Sequence, residues 1–290
     1  MKKEKLPEEE ESKRESEQEA EEIGEKEIVA AEEKGEVKKE RPLEEIKSSW
    51  KPKTELGKKV SAGEITDIDE ILNQGSVIFE PEIVDFLLPN LENDLLLVGQ
   101  AKGKFGGGQR RIFRQTQKKT QEGNKLHFAT YAIVGNKNGY IGLGWGKSKE
   151  TVPARDKALR KAKLNIKKIR RGCGSWLCGC GESHSIPFTI KGKCGSVEIK
   201  LMPAPKGKGL IVEEECAKIL KLAGIKDVWS KTKGKTKTKI NLIKACIDAL
   251  NKLMETKIRP EHASKLGLKE GKLSETDQFL EEIKHEEGKQ

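Results

Sequence analysis

The chain has 290 residues, with 57 Lys/Arg against 47 Asp/Glu for a formal net charge of +10; 34% of its residues are hydrophobic, 4% aromatic, and six are cysteine. That length allows one or two domains, and six cysteines spread over it do not make a disulfide scaffold. No run of about 18 apolar residues exists to span a bilayer and the acidic start lacks the apolar stretch of a secretory signal, so a soluble intracellular protein is expected.

The charge is unevenly placed. Residues 1–45 hold 10 Lys/Arg and 18 Asp/Glu with few large apolar side chains, too little to offset chain entropy, and an acidic disordered extension is expected there. Residues 95–259 hold 37 Lys/Arg against 11 acids, a cationic middle suited to the counterion-releasing grip of RNA or DNA.

In chain order, residues 46–93 read as a helical N-terminal segment: Glu64–Leu72 with Thr66 as a cap, then a helix opened by Pro81 and closed by Pro89. Residues 94–171 form the next unit. Asp94–Ala101 reads as a buried strand and Lys102–Lys125 as a long polar loop with three consecutive glycines and eight basic residues. Leu126–Val134 and Tyr140–Trp145 read as strands around a tight Gly-Asn-Lys-Asn-Gly turn. A helix follows, with Ala154, Ala158, Ala162, Ile166 and Ile169 on one stripe. Residues 172–184 are a Gly/Cys-rich link. Residues 185–256 then restart the pattern: strands at Ser185–Lys191 and Gly195–Leu201, the basic loop Met202–Gly209, a helix from Glu213 to Ala223 capped by Gly224, a short strand at Val228, and a last helix carrying Ile240, Ile243, Ile247, Leu250 and Met254. Residues 257–290 are an acidic tail, disordered or helical. The fold class is α+β, in two small domains.

Gly139–Arg171 carries eleven Lys/Arg and two acids. Its Gly-rich turn into a lysine-rich helix suits backbone and charge contact with phosphates. The segment is not a P-loop: that motif needs four residues between its glycines, and position 141 is Ile. Three strands before such a helix resemble a double-stranded-RNA-binding domain, which makes Lys147, Lys149, Arg155, Lys157, Arg160, Lys161 and Lys163 candidate phosphate contacts, the plain alternative being a solvated helix face. In the loop, Lys102, Lys104, Arg110, Arg111 and Arg114 are candidate RNA contacts beside Phe105, the alternative being a connector. Lys206 and Lys208 belong to the second basic loop. Cys173, Cys178, Cys180 and His184 could close a structural zinc site, although small polar residues in a glycine-rich link need no metal, and Cys194 could replace one ligand. Nothing places a catalytic set in one pocket, and no enzyme is expected.

Gly139–Lys168, Leu201–Val212 (LMPAPKGKGLIV), Leu220–Val228 and Asn241–Leu250 together resemble the fifth universal small-subunit ribosomal protein family; Arg170–Trp176 and Trp50–Gly57 are similar to its archaeal–eukaryotic branch. The resemblance covers roughly residues 50–255. It implies an N-terminal double-stranded-RNA-binding-like α-β-β-β-α domain and a C-terminal α/β domain with a left-handed βαβ crossover. It further implies binding to small-subunit rRNA, with Lys102–Arg114 as the loop that reaches the neck helix, and contact with the neighbouring fourth and eighth small-subunit proteins. A role in translational fidelity and a place on the path along which mRNA enters the subunit follow from it too. A free-standing double-stranded-RNA-binding regulator is the rival expectation.

Overall fold

A computed structural model describes residues 50–101 and 108–271 of the protein. The expected disorder of 1–45, Lys102, Lys104 and the tail beyond 271 lie outside the described residues.

Three short helices come first. α1 (Glu55–Ala62) starts where Thr54 accepts the Gly57 N–H through its hydroxyl at 3.1 Å and stops at Gly63, whose φ of 82° needs a glycine. α2 (Ile68–Asn73) follows Asp67, one residue after the cap expected at Thr66. α3 (Pro81–Leu87) has proline in its first turn. Glu80 ties the first of these helices to the third. Its carboxylate accepts Trp50 Nε1 at 2.9 Å and the N–H groups of Lys53 at 2.9 Å and Thr54 at 2.6 Å. Burial pushes that carboxyl up, but the donors outweigh it and hold it below the ordinary 4.5. The helices bury Val60, Ile68, Ile71, Ile83 and Val84 with Tyr140 and Ile166 of the adjoining sheet. Asp69 fixes this docking by accepting the Tyr140 hydroxyl at 2.7 Å and Lys168 Nζ at 3.0 Å.

The first sheet contains β1 (Glu92–Leu96), β2 (Arg114–Thr120), β3 (Gly123–Gly135), β4 (Tyr140–Ser148) and β5 (Ile166–Lys168), all antiparallel, in the order β1-β3-β4-β5. β3 is long enough to pair twice, with β2 along Gly123–Ala129 and with β1 along Tyr131–Gly135. β2 lies inside the segment expected to be loop. Its side chains are exposed except for half-buried Thr116 and Thr120, so it carries no apolar alternation to betray a strand.

α4 (Thr151–Leu164) lies on β4 so closely that only glycine fits beneath it. A Cβ at Gly142, Gly144 or Gly146 would come 2.0–2.1 Å from the carbonyl oxygens of Ala162, Ala158 and Ala154 respectively. The three alanines are fully buried. Glycines that read as a phosphate-approaching turn therefore serve a strand-to-helix contact. The helix also ends sooner than its apolar stripe suggests. The Asn165 N–H is shared between the carbonyls of Lys161 and Ala162, after which Ile166–Lys168 pair with Tyr140–Gly142 as β5. Buried Ile166 and Ile169 face inward from strand and link, a placement whose spacing imitates helical periodicity.

β6 (Arg170–Arg171) leads to a second sheet of β7 (Ile190–Cys194), β8 (Val197–Pro203), β9 (Leu210–Ile211) and β10 (Val228–Lys233), in the order β7-β8-β10-β9. β9 and β10 are parallel, and α5 (Glu214–Leu222) lies between them in the chain. α6 (Lys239–Glu255) lies on β7, where a Cβ at Gly192 would come 2.0 Å from the Ala245 carbonyl. α7 (Pro260–Lys265) and β11 (Lys269–Glu270) return the chain to β6, and buried Arg171 donates to Asn138 Oδ1 at 2.9 Å and to the Gly271 carbonyl at 3.0 Å. The architecture is mixed α+β. One apolar core joins Leu96, Tyr131 and Ile133 of the first sheet to Ile199, Leu220 and Ile243 of the second half.

Candidate nucleic-acid interface

The packing of α4 decides which of its cations face solvent. With Ala154, Ala158 and Ala162 against β4, Lys157, Arg160 and Lys161 are exposed, and Lys147 and Lys149 lie exposed at the strand end before it. Lys161 Nζ sits 5.5 Å from the ring centroid of half-exposed Trp145, a cation–π arrangement that leaves its charge at the surface. Arg155 is half-buried, with Nε 3.5 Å from Asp156. Lys163 differs from the rest: it donates to Asp85 of α3 at 2.6 Å, and both side chains are about three-quarters covered. That candidate phosphate contact is engaged inside the fold.

The basic loop between β1 and β2 is closed at its base. The Gly99 N–H donates to the Arg111 carbonyl at 2.7 Å, Arg111 N–H to the Gln100 carbonyl at 3.1 Å, and Ala101 bridges Arg110. Arg110 in turn donates to the Lys237 carbonyl at 3.2 Å. The loop base and the basic run after β10 are thereby neighbours, two stretches that lie 127 residues apart in sequence. Arg111 and Arg114 are exposed.

A further basic surface was not singled out from the sequence. Across β7, β8 and β10, Lys191 stands opposite Lys200 and Lys200 opposite Lys231; one step on, Lys193 and Lys233 flank Glu198. Lys193 pairs with Glu198 at 3.1 Å, and that contact first, with Lys233 and Lys191 adding to it, holds the Glu198 carboxyl below its ordinary range. Like charges directly opposite in a sheet repel, and α6 covers the other face, so the row is a solvated cationic strip. The signal was the alternation Lys191-Gly-Lys193 and Glu198-Ile-Lys200, legible only once strand register is known.

The loop after β8 carries exposed Lys206 and Lys208, and Lys206 pairs with Glu182 at 2.9 Å. Beside it, one donor atom from each of Cys173, Cys178, Cys180 and His184 lies within 4.8 Å of all the others. Cys178 Sγ is 3.3 Å from Cys180 Sγ and 3.9 Å from His184 Nε2. Backbone N–H groups, that of Lys206 first and that of Cys180 next, lower the Cys178 thiol to about 6, whereas burial pushes Cys173 up to about 12 and raises Cys180. His184 Nδ1 is 2.8 Å from Asp227 Oδ2, which turns Nε2 toward the sulfurs. Three sulfurs and an imidazole are the donor set of a closed tetrahedral site, so the cluster could hold a metal ion. Cys194 lies on β7 outside it, and Cys216 and Cys246 are buried in the apolar core.

Residues 112–170 match the family described as Ribosomal protein S5, N-terminal domain, and residues 192–263 its C-terminal domain. The small ribosomal subunit protein uS5 of Nanoarchaeum equitans is 51% identical over 224 residues, 77% of this chain and 96% of that protein. The chain belongs to the ribosomal protein uS5 family. The uS5 proteins of Methanococcus maripaludis strain C6 and Methanocaldococcus jannaschii are 48% and 47% identical over 225 and 224 residues, covering 92% and 96% of their own lengths. The α4 lysines lie within the first matched segment, and the cysteine–histidine cluster lies between the two. No described helix is long and apolar enough to cross a membrane.

Proposed function

We propose that this protein is a structural constituent of the small ribosomal subunit in the cytoplasm, where it binds rRNA and takes part in translation without catalysing a reaction. Membership of the uS5 family over most of the chain carries this reading; nothing in it favours a free-standing regulator. Lys147, Lys149, Arg155, Lys157, Arg160 and Lys161 neutralise phosphates along one rRNA segment. Lys102, Lys104, Arg110, Arg111 and Arg114 enter the neck helix as a loop anchored on the 231–239 run. Lys206 and Lys208, with the lysine strip across β7, β8 and β10, meet further rRNA.

In this reading residues 94–171 are a double-stranded-RNA-binding-like domain after a helical segment at 46–93. Residues 185–256 are the C-terminal domain with a left-handed crossover through α5, and 1–45 and 257–290 are acidic extensions. The fourth and eighth small-subunit proteins are neighbours, and the protein lies on the path along which mRNA enters, where it influences fidelity. Zinc is the metal that suits the Cys173, Cys178, Cys180 and His184 donor set, in a structural role.

The test is the salt dependence of rRNA binding. Lys157→Gln, Arg160→Gln and Lys161→Gln together should weaken binding and flatten the slope of log K against log salt by about 0.7–0.9 per phosphate contact removed. An unchanged slope overturns the assignment of those residues.

A further inference from the structure

The cysteine–histidine cluster is wired to two features that lie outside it. The first is a tight turn: the Cys178 N–H donates to the Ser175 carbonyl at 3.1 Å, which puts Trp176 and Leu177 at the tip. Trp176 is 89% exposed, the most exposed large apolar side chain among the described residues. Neighbouring Ser175 is 6% exposed, and its hydroxyl has no hydrogen-bond partner among the described residues. The second feature is the basic loop after β8. The backbone N–H of Lys206 lies near enough to Cys178 to lower its thiol, and the Gly209 N–H donates to Asp227 Oδ1 at 2.7 Å while the other oxygen of that carboxylate engages His184 at 2.8 Å. One sulfur and one carboxylate thus hold the middle and the end of the loop that carries Lys206 and Lys208.

We propose that a metal ion bound by Cys173, Cys178, Cys180 and His184 locks the Trp176 turn and the Lys206–Lys208 loop into one RNA-contacting surface, on which Trp176 stacks on an unpaired base and the lysines hold the flanking phosphates. The proposal rests on the rRNA-binding reading above and deepens it. An exposed indole two residues from Cys178, itself next to the lysine-bearing loop, fits a ligand with a flat π-face and an anionic backbone, which is a single-stranded nucleotide. Glu182 pairs with Lys206 at 2.9 Å, so a phosphate on Lys206 exchanges one anionic partner for another. Asp227 is a positioning residue. By accepting from His184 Nδ1 it fixes the tautomer whose Nε2 faces the sulfurs, and through Gly209 it transmits metal occupancy to the loop. Without the ion, the Cys-rich link and the loop are joined by the Cys178 and Asp227 contacts and by the Lys206–Glu182 pair at 2.9 Å.

The experiment uses the full chain with zinc as the metal, and fluorescein-labelled oligouridylate and a blunt RNA duplex as probes. The protein should take up one equivalent of zinc by chromophoric titration. Asp227→Asn should weaken zinc binding about 10- to 100-fold, and removing zinc with a chelator should weaken oligouridylate binding. Trp176→Ala, a surface change, should cost about tenfold in affinity for oligouridylate and leave the duplex affinity unchanged, with Trp176→Phe restoring most of it. Absence of zinc uptake, equal oligouridylate affinity with and without zinc, or wild-type affinity of the Trp176→Ala variant would each overturn the proposal. If the wild-type chain still shows salt-dependent duplex binding in those cases, the rRNA-binding reading stands alone; if it binds neither probe, both fall. A Trp176→Ala variant that binds oligouridylate normally but fails to enter the small subunit would identify Trp176 as a protein-docking residue and overturn the stacking assignment.

Discussion

Replacing Gly144 with alanine tests the account of how β4 presents the cationic helix. The added Cβ would lie 2.0 Å from the Ala158 carbonyl oxygen, 2.3 Å from Ala162 N and 2.8 Å from Ala162 Cα, where ordinary contact begins at 3.4 Å. Strand and helix must therefore part by about 1.4 Å at the first of these contacts, taken as the difference of those two distances. The obstructing atoms are backbone, so no side-chain rotation relieves the clash. Overpacking of a closed core typically costs 1–3 kcal/mol, and a backbone-to-backbone obstruction should cost about 3 kcal/mol or more. At about 2–4 °C per kcal/mol for a folded part of this size, thermal unfolding followed by far-UV circular dichroism should show Tm lowered by about 6–12 °C. Gly179→Ala, whose Cβ meets nothing within 4 Å and whose φ is not in the left-handed region, is the control and should leave Tm unchanged. If Gly144→Ala melts within about 2 °C of wild type but loses RNA affinity, the glycines serve phosphate approach and the packing argument is wrong.

Lys163→Met should lower stability by about 1–2 kcal/mol in urea denaturation, because it strands Asp85 partly buried, while leaving the salt slope of rRNA binding unchanged; a flattened slope would return Lys163 to the phosphate contacts. Lys200→Glu removes like-charge repulsion with Lys191 and Lys231 on both sides of it, so it should raise stability by a few tenths of a kcal/mol and weaken rRNA binding. A loss of stability with unchanged binding would remove the lysine strip from the interface. Glu80→Gln should destabilise the docked N-terminal helices by about 1–2 kcal/mol at neutral pH through loss of charge-assisted acceptance from three donors. Because the folded carboxyl titrates below its ordinary 4.5, the stabilisation is complete above that value and lost as pH falls through the lower folded value. Wild type and variant should therefore converge in acid, and a gap that persists there would contradict the charge argument.

The residues that announced themselves in sequence are those whose chemistry is local. Pro81 before a short apolar run marks α3, and Gly224, at φ 82°, marks the end of α5. The alanine stripe of α4 was legible because its period is helical. What stayed hidden depends on partners distant in the chain. β2 has polar side chains throughout and is a strand only because Gly123–Ala129 offers it a ladder. Ile166 and Ile169 keep a helical spacing yet belong to β5 and the link after it. α1 was missed although Thr54 and Gly63 cap it, because its only buried residues are Gly57 and Val60. In the candidate interface, single lysines in the α4 helix could be named from composition. The involvement of Lys163 with Asp85, the Arg110–Lys237 contact and the lysine row across three strands need register and tertiary contact. The four metal-ligand candidates were visible as a cluster of residue types, while the orienting residue Asp227 lies 43 positions from His184 and carries no local signal.

Sedimentation tests directly whether the chain is a small-subunit protein. Lysate from cells producing the tagged full chain is resolved on a sucrose gradient at moderate salt, and the chain is quantified against small-subunit rRNA across the fractions. Stoichiometric comigration with the small subunit is expected, lost progressively as salt is raised on the purified particles. A chain that stays at the top of the gradient, or that follows RNA of other sizes at substoichiometric amounts, would contradict it.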